Sequence, residues 1–81
     1  MKHEYVDRYR ELGLRVSLLR KIKGYTQEQL AERAGKSLTF IGSIEAPNMP
    51  TSVSLETIFD IANALEMPVY QLFLFENDIK P

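Results

Sequence analysis

Two glycines set the limits of the helices in the first half of this chain. Gly24 and Gly35 each stand two residues before a hydroxyl residue, Thr26 and Ser37 respectively. Glycine readily takes the left-handed conformation that ends a helix, and threonine or serine caps the start of the next one. The pattern therefore predicts short helices in succession, joined by a tight turn at Gly35.

Helical periodicity fills the segments between these signals. Upstream of Gly24, apolar residues recur at spacings of three and four, which is typical of a helix that buries one face. Thr26 and Gln29 form a capping box at the start of the second helix. Ser37 caps a third helix, whose apolar positions are Phe40, Ile41 and Ile44. The apolar positions of the first helix are Tyr9, Leu12, Val16 and Leu19.

The second half begins with an irregular loop over residues 46–53, which contains Pro47 and Pro50. Ser54 caps a fourth helix, and Pro68 is a good first residue for a short fifth helix that runs through Phe73. The inner face of the fourth helix is expected to comprise Leu55, Ile58, Phe59, Ala62 and Leu65. Because no alternating strand pattern occurs, we expect an all-α fold of five helices.

A chain of 81 residues has room for one domain. We expect an N-terminal extension over 1–8, the domain itself over 9–75 and a C-terminal tail over 76–81. The chain has no cysteine, no apolar run that could span a bilayer and no signal peptide. These features favour a cytoplasmic protein that makes no membrane contact.

The residues needed for catalysis are missing from the sequence. The single histidine, His3, lies near the terminus, and no serine has a histidine or lysine at a spacing that could activate it. No glycine-rich phosphate loop and no metal-ligand cluster is present. We therefore expect no enzyme activity, no cofactor and no metal.

The net charge of −1 hides an uneven distribution. Residues 8–45 carry eight basic and four acidic side chains, a balance of +4, whereas residues 46–81 carry one basic and five acidic side chains, a balance of −4. A local positive potential attracts phosphates even when the whole protein is slightly acidic. The asymmetry indicates a basic working face and an acidic back.

Several blocks of the sequence, in order, resemble the Cro and phage-repressor helix-turn-helix family, also called XRE-type. The resemblance covers residues 12–73. The blocks are Leu12–Val16, Leu19-Arg20, Gly24–Ala31, Gly35–Ser37, Phe40-Ile41, Ile44-Glu45, Ser54–Ile58, Ile61-Ala62 and Ala64-Leu65. The resemblance implies a five-helix, lambda-repressor-like fold with its helix-turn-helix at about 26–45. It also implies binding to operator DNA, commonly as a dimer, with the second helix of the pair in the major groove.

The resemblance also implies roles for particular residues. By position, Gln27 would contact a phosphate and Arg20 would pair with Glu45 to link the first helix to the third. The groove-facing residues of a recognition helix at about 37–45 would be Ser37, Leu38, Thr39 and Ser43.

The chain departs from the family pattern at several of these positions. Leu38 and Ser43 stand where relatives often carry Gln, Arg or Lys, whose long polar side chains reach base edges. Gly42 lies inside the recognition helix, at a cost of about 1 kcal/mol relative to alanine. Relatives usually have a glycine at the position of Pro47, and the loop that follows is longer than usual and has no basic residue. Lys36 and Lys23 are expected to compensate with phosphate contacts.

These observations favour a sequence-specific transcriptional regulator, repressor or activator, that binds double-stranded DNA as a homodimer. The candidate dimer contacts are Val69, Leu72, Phe73 and Phe75, for which core packing is the open alternative. Two other functions stay open: an antitoxin-type partner whose acidic C-terminal half covers another protein, and a protein-interaction module with weak or no DNA binding. Leu38, Ser43 and the uncharged loop favour the interaction module, while Gln27, Lys36 and the basic segment favour DNA.

Overall fold

A computed structural model of the chain describes residues 2–76. Within them the chain forms four α-helices and two short 3-10 helices, and no strand. The helices are α1 (Val6–Lys23), α2 (Gln27–Ala34), α3 (Leu38–Glu45) and α4 (Leu55–Ala64). The 3-10 helices are His3–Tyr5 before α1 and Val69–Phe73 after α4. An all-helical architecture is therefore confirmed for the described residues, and α1 starts inside the segment predicted as an extension.

The helix ends lie where the capping residues predict them. Gly24 and Gly35 take left-handed conformations, with φ of 79° and 68°. Thr26 and Gln29 form the reciprocal capping box at the start of α2. The hydroxyl groups of Ser37 and Ser54 accept hydrogen bonds from the backbone amides of Phe40 and Thr57.

The predicted short fifth helix is a 3-10 helix, Val69–Phe73, so a count of five α-helices is not confirmed. Its turn is held by a hydrogen bond from the amide of Gln71 to the carbonyl of Pro68, three residues earlier, which is the spacing of a 3-10 helix. The carbonyl of Gln71, which an α-helix would pair with a later amide, accepts instead from Nε of Arg15 at 2.7 Å. The amide of Phe75, which would be its partner in an α-helix, donates to the carbonyl of Phe73. Of the tail predicted for 76–81, only Glu76 lies within the described residues.

The core lies between α1 and the other helices. Val16, Leu30, Ile41, Leu65 and Leu72 are among its fully buried side chains. Helix α2 packs on both α3 and α4. Helix α1 packs on α3 and on the C-terminal 3-10 helix, which also contacts α4. The core thus fixes the pair α2–α3 against a longer helix on one side and α4 on the other.

The predicted inner face of α4 is only partly correct. Ile58, Ala62 and Leu65 are buried, whereas Leu55 and Phe59 are 65% and 55% exposed. Helical spacing identifies an apolar face, but a domain of this size has too few neighbouring elements to cover the whole of it. The start of α4 therefore presents apolar side chains to solvent.

Helix α1 crosses α3 at Gly13, where the two backbones are in close contact. A Cβ atom built on Gly13 would lie 2.0 Å from the carbonyl oxygen of Ile44. Such an atom cannot be accommodated without moving the end of α3. Gly42 differs from Gly13 because its nearest neighbour would be Oε1 of Gln27 at 3.7 Å, an ordinary contact.

We predict opposite effects of alanine at these two glycines. Gly13→Ala should lower the free energy of unfolding by at least about 1–3 kcal/mol, the usual cost of overpacking. Gly42→Ala should raise it by up to about 1 kcal/mol, because alanine is the better helix former and has room. Urea denaturation of the two variants measures both values. Equal stability of Gly13→Ala and the unchanged protein would contradict the close crossing.

Candidate nucleic-acid interface

Helices α2 and α3 form a rigid unit around the turn at Gly35. The amide of Lys36 donates to the carbonyl of Ala31 at 2.9 Å, which closes the end of α2. Ser37 then caps α3 by accepting from the amide of Phe40 at 3.0 Å. The small buried side chains of Ala31 and Ala34 let α3 pack closely on α2. The turn is therefore held by hydrogen bonds on both sides.

The first turn of α3 presents its side chains to solvent. Ser37, Leu38 and Thr39 are all exposed, and Leu38 is 49% accessible. Ser43 lies one turn further on and is half-buried. Its hydroxyl donates to the carbonyl of Phe40 at 2.7 Å, so its hydrogen is already used within the helix. Of the four predicted groove-facing residues, the three at the start of α3 are the most accessible.

Gln27 lies at the first position of α2 and points toward the end of α3. Its Nε2 donates to Oε1 of Glu45 at 3.1 Å. Its Oε1 lies over Gly42, where there is no side chain. A carboxamide nitrogen carries two hydrogens, so one hydrogen can orient the group while the second is available to a ligand. Gln27 also stands at a helix N-terminus, where the backbone dipole favours phosphate.

Arg20 and Glu45 form a buried, two-pronged ion pair between α1 and α3. Nε of Arg20 donates to Oε2 of Glu45 at 2.8 Å, and Nη2 donates to Oε1 at 2.9 Å. Nη1 of Arg20 donates to the carbonyl of Tyr25 at 2.7 Å, at the junction of α1 and α2. The hydrogen-bonded carboxylate of Glu45 raises the pKa of Arg20 above its ordinary value. The carboxylate of Glu45 on α3 therefore accepts hydrogen bonds from Arg20 of α1 and from Gln27 of α2, and so it joins three helices.

Lys36 lies in the turn between α2 and α3, beside the exposed start of the recognition helix. Its Nζ is 3.1 Å from Oδ2 of Asp60 on α4. This ion pair does not exclude a phosphate contact. It means that Lys36 would have to share or exchange its carboxylate partner in order to contact an anion.

The candidate dimer contacts divide into two groups. Leu72 is fully buried within the protomer and Phe75 nearly so. Both serve the core, which was the open alternative for them. Phe73 is exposed and Val69 is half-buried, so these two retain surface that a second copy could contact.

Sequence reasoning missed the structural role of the arginines in α1. Arg10 donates from Nε to the carbonyl of Pro47 at 2.9 Å, which fastens the 46–53 loop to α1. Arg15 donates to both the carbonyl and the side-chain oxygen of Gln71. The guanidinium of Arg8 lies 5.9 Å from the ring centre of Phe75. No local sequence signal distinguishes these residues from surface cations, since their partners lie far along the chain.

The described residues contain no group of three histidine, cysteine, aspartate or glutamate side chains that could hold a metal ion. No helix among them is long and apolar enough to cross a membrane.

The fold and this geometry define a helix-turn-helix module, with α2 and α3 as its two helices. A family model described as helix-turn-helix matches residues 16–72. The chain belongs to this helix-turn-helix family, and the match confirms the XRE-type resemblance.

Similar proteins include transcriptional regulators from bacteria. The chain is 34% identical over 61 residues to the HTH-type transcriptional regulator SinR of Bacillus subtilis (strain 168), a match that covers 75% of this chain and 54% of SinR. It is 38% identical over 52 residues to the uncharacterized HTH-type transcriptional regulator YazB of the same organism, covering 63% of this chain and 75% of YazB. The chain thus spans about half the length of SinR.

Solved structures of similar proteins have the same fold. The restriction-modification controller protein C.AhdI from Aeromonas hydrophila superposes with a TM-score of 0.77 and 33% identity, covering 83% of this chain and 98% of C.AhdI. The hypothetical transcription factor NHTF from Neisseria superposes with a TM-score of 0.76 and 30% identity, covering 86% of this chain and 78% of NHTF.

We predict that removing either member of the Arg20–Glu45 pair costs about 3–5 kcal/mol of stability, because the remaining buried charge is stranded. Arg20→Met and Glu45→Gln are suitable variants, since both keep most of the side-chain volume. Urea denaturation of the single and double variants gives a double-mutant cycle. The double variant should lose less stability than the sum of the single losses, and strictly additive losses would contradict coupling between the two residues.

Proposed function

We propose that this chain is a transcriptional regulator that binds duplex DNA with the first turn of α3 in the major groove. The observation that carries this proposal is the exposed start of α3, at Ser37, Leu38 and Thr39. The Gln27 carboxamide lies toward the other end of α3, where Glu45 holds it in place. Recognition helices of helix-turn-helix proteins read bases with their N-terminal residues. The similarity to SinR, YazB and C.AhdI supports the same function.

In this proposal Gln27 and Lys36 contact phosphates on either side of the recognition helix. Gln27 offers a neutral N–H donor at a helix N-terminus, and Lys36 offers a charge after its exchange with Asp60. Such contacts set the position of a protein on DNA without reading sequence. The chain then acts as a DNA-bound regulator in the cytoplasm, not as an enzyme.

Binding to duplex DNA should be driven by electrostatics, and its salt dependence tests the proposal. If about four to six phosphates are neutralised per dimer, the log–log slope of affinity against salt should be about −4 to −5. Gln27→Ala should weaken binding to all duplexes alike, because a phosphate contact specifies no base. Fluorescence anisotropy with several duplexes at several salt concentrations measures both effects.

Absence of binding to any duplex at low salt, by protein shown to be folded, would contradict the proposal. A second candidate function, a protein-interaction module, would then be favoured. Its specific support is the exposure of Leu38, which cannot hydrogen-bond to a base edge.

We propose further that two copies associate through an apolar patch at the start of α4, here called the α4 patch and defined as Leu55, Phe59 and Phe73. Leu55 and Phe73 line one groove of about 360 Å³, and Phe59 follows Leu55 by one helical turn. The protomer measures 33 × 25 × 20 Å. A dimer that binds a two-fold operator should place its recognition helices in successive major grooves, about 34–36 Å apart.

This dimer should be visible in sedimentation equilibrium and should dissociate in Phe73→Glu. The substitution puts a charge on an exposed apolar patch, so it should lower association without unfolding the protomer. A protein that stays monomeric at high concentration and on DNA would contradict the dimer.

Leu38 should favour thymine at one or two positions of each half-site. Leu38 offers only apolar contact, and the thymine methyl is the apolar feature of a major-groove edge. Thr39 adds a methyl and a hydroxyl that can meet thymine or a base acceptor. Each position should contribute at the low end of about 1–3 kcal/mol.

Replacing thymine by uracil at the preferred positions removes only the methyl group. We expect the affinity to fall with this replacement in the unchanged protein and to stay constant in Leu38→Ala. If uracil leaves the affinity unchanged and Leu38→Ala keeps the same base preference, apolar readout by Leu38 is wrong.

A further inference from the structure

The outer face of α1 carries a row of exposed apolar side chains. Leu14 and Leu18 are each 48% exposed and Ile22 is 69% exposed. Their four-residue spacing places them one above another on a single face of the helix. We call these three residues the α1 stripe.

The α1 stripe lies apart from the α4 patch. Leu12, Val16 and Leu19 occupy the opposite face of α1 and enter the core. The groove of the α4 patch borders α1 on that inner side, through Tyr9 and Leu12. A second groove of about 440 Å³ is lined by Leu14 and Leu18 of the stripe and by Leu74 and Phe75. Phe75 also lines the groove of the α4 patch, so the two grooves adjoin at Phe75, whereas the stripe and the α4 patch share no residue.

The three exposed side chains of the α1 stripe form one continuous apolar row. Single exposed apolar residues are normal, whereas contiguous apolar patches with polar rims mark interaction sites. The rim includes Glu11, one turn before Leu14, and the exposed Lys21, one turn after Leu18. Oε1 of Glu11 lies 3.9 Å from Nη1 of Arg8 within the same helix, a surface pair that is worth little and that Lys21 of a second copy can join. The charges at the two ends are opposite, which limits the kind of helix that could lie along the stripe.

We propose that the α1 stripe binds the α1 stripe of a second copy of this chain, with the two helices antiparallel. In a two-fold pair centred on position 16, Leu14 of each copy meets Leu18 of the other. The same centre places Glu11 of each copy beside Lys21 of the other. The apolar pair and the charged pair thus share one midpoint. Glu11 and Lys21 lie on opposite flanks of the contact, and the long, flexible side chain of lysine spans the distance between them.

The parallel alternative is disfavoured by charge. In a parallel pair Glu11 would face Glu11 and Lys21 would face Lys21, and like charges side by side are destabilising. In the antiparallel pair Ile22 of each copy lies level with Arg10 of the other but on the opposite flank of the contact. The guanidinium of Arg10 is turned back to Pro47 and Asp7, so this cation does not enter the apolar contact.

One row of apolar residues makes a small interface, so the contact should be weak in free solution. It gains strength when two dimers are held on neighbouring DNA sites, because the effective concentration is then high. That consequence rests on the proposed DNA-binding function. The contact between stripes does not, and it can be measured without DNA.

The test is a charge reversal, read by sedimentation at high protein concentration in the Phe73→Glu background, which removes association through the α4 patch. Lys21→Glu and Glu11→Lys should each weaken the remaining association about tenfold, because two-fold symmetry affects both charged pairs at once. The double reversal should restore it to within about twofold. Lys23→Glu is the matched control, since it changes the same charge in the same last turn of α1 and should leave association unchanged.

Leu18→Glu provides a second measurement, because the exposed side chain can be changed without disturbing the core. It should abolish the association altogether. Association that is unaffected by Leu18→Glu, or a double reversal that stays as weak as the single ones, would overturn the antiparallel pairing. Failure of DNA binding in the salt titration would leave these solution results standing and would remove only the proposed DNA function.

Discussion

The position of the recognition helix depends on the buried ion pair between Arg20 and Glu45. Helix α3 has eight residues, which is too short to be stable without tertiary contacts. Its last residue, Glu45, accepts two hydrogen bonds from Arg20, and the same carboxylate accepts a hydrogen bond from the side-chain carboxamide of Gln27. A buried pair is satisfied only in a narrow range of geometries. Together with the close crossing at Gly13, it fixes both the height and the rotation of α3 against α1.

The arginines of α1 show how a basic segment can contribute less to DNA binding than its charge indicates. Arg10, Arg15 and Arg20 each donate to a carbonyl oxygen of another segment, and so they fasten the 46–53 loop, the C-terminal 3-10 helix and the α1–α2 junction. Their charge still adds to the field around the protein. In the proposed complex with DNA, direct phosphate contact is expected from the turn between α2 and α3 and from the end of α1.

Local signals in the sequence were enough to predict the helix ends, because a cap involves only residues three or four apart. The Thr26–Gln29 capping box and the Ser37 cap are examples. Features that depend on distant partners could not be predicted in this way. The contact of Arg15 with Gln71 joins residues 56 apart, and it lies in the predicted fifth helix, which is a 3-10 helix. The exposure of Phe59 likewise depends on which other elements cover α4. The spacing of apolar residues in the sequence carries no information about that. For the site, the family resemblance indicated which residues to examine, while the Lys36–Asp60 pair became visible only in three dimensions.

The exposed apolar side chains follow from the size of the domain. A chain of 81 residues buries a smaller share of its surface than a larger domain does. Only one face of α1 and part of the apolar face of α4 enter the core. The remaining apolar rows lie at the start of α4 and along the outer face of α1, and neither includes a residue of the first turn of α3. The proposed association through either row therefore uses none of the residues that are proposed to read bases. In a protein whose single recognition helix offers little hydrogen bonding to bases, affinity for DNA would then come from the number of copies bound together more than from the contacts of each one.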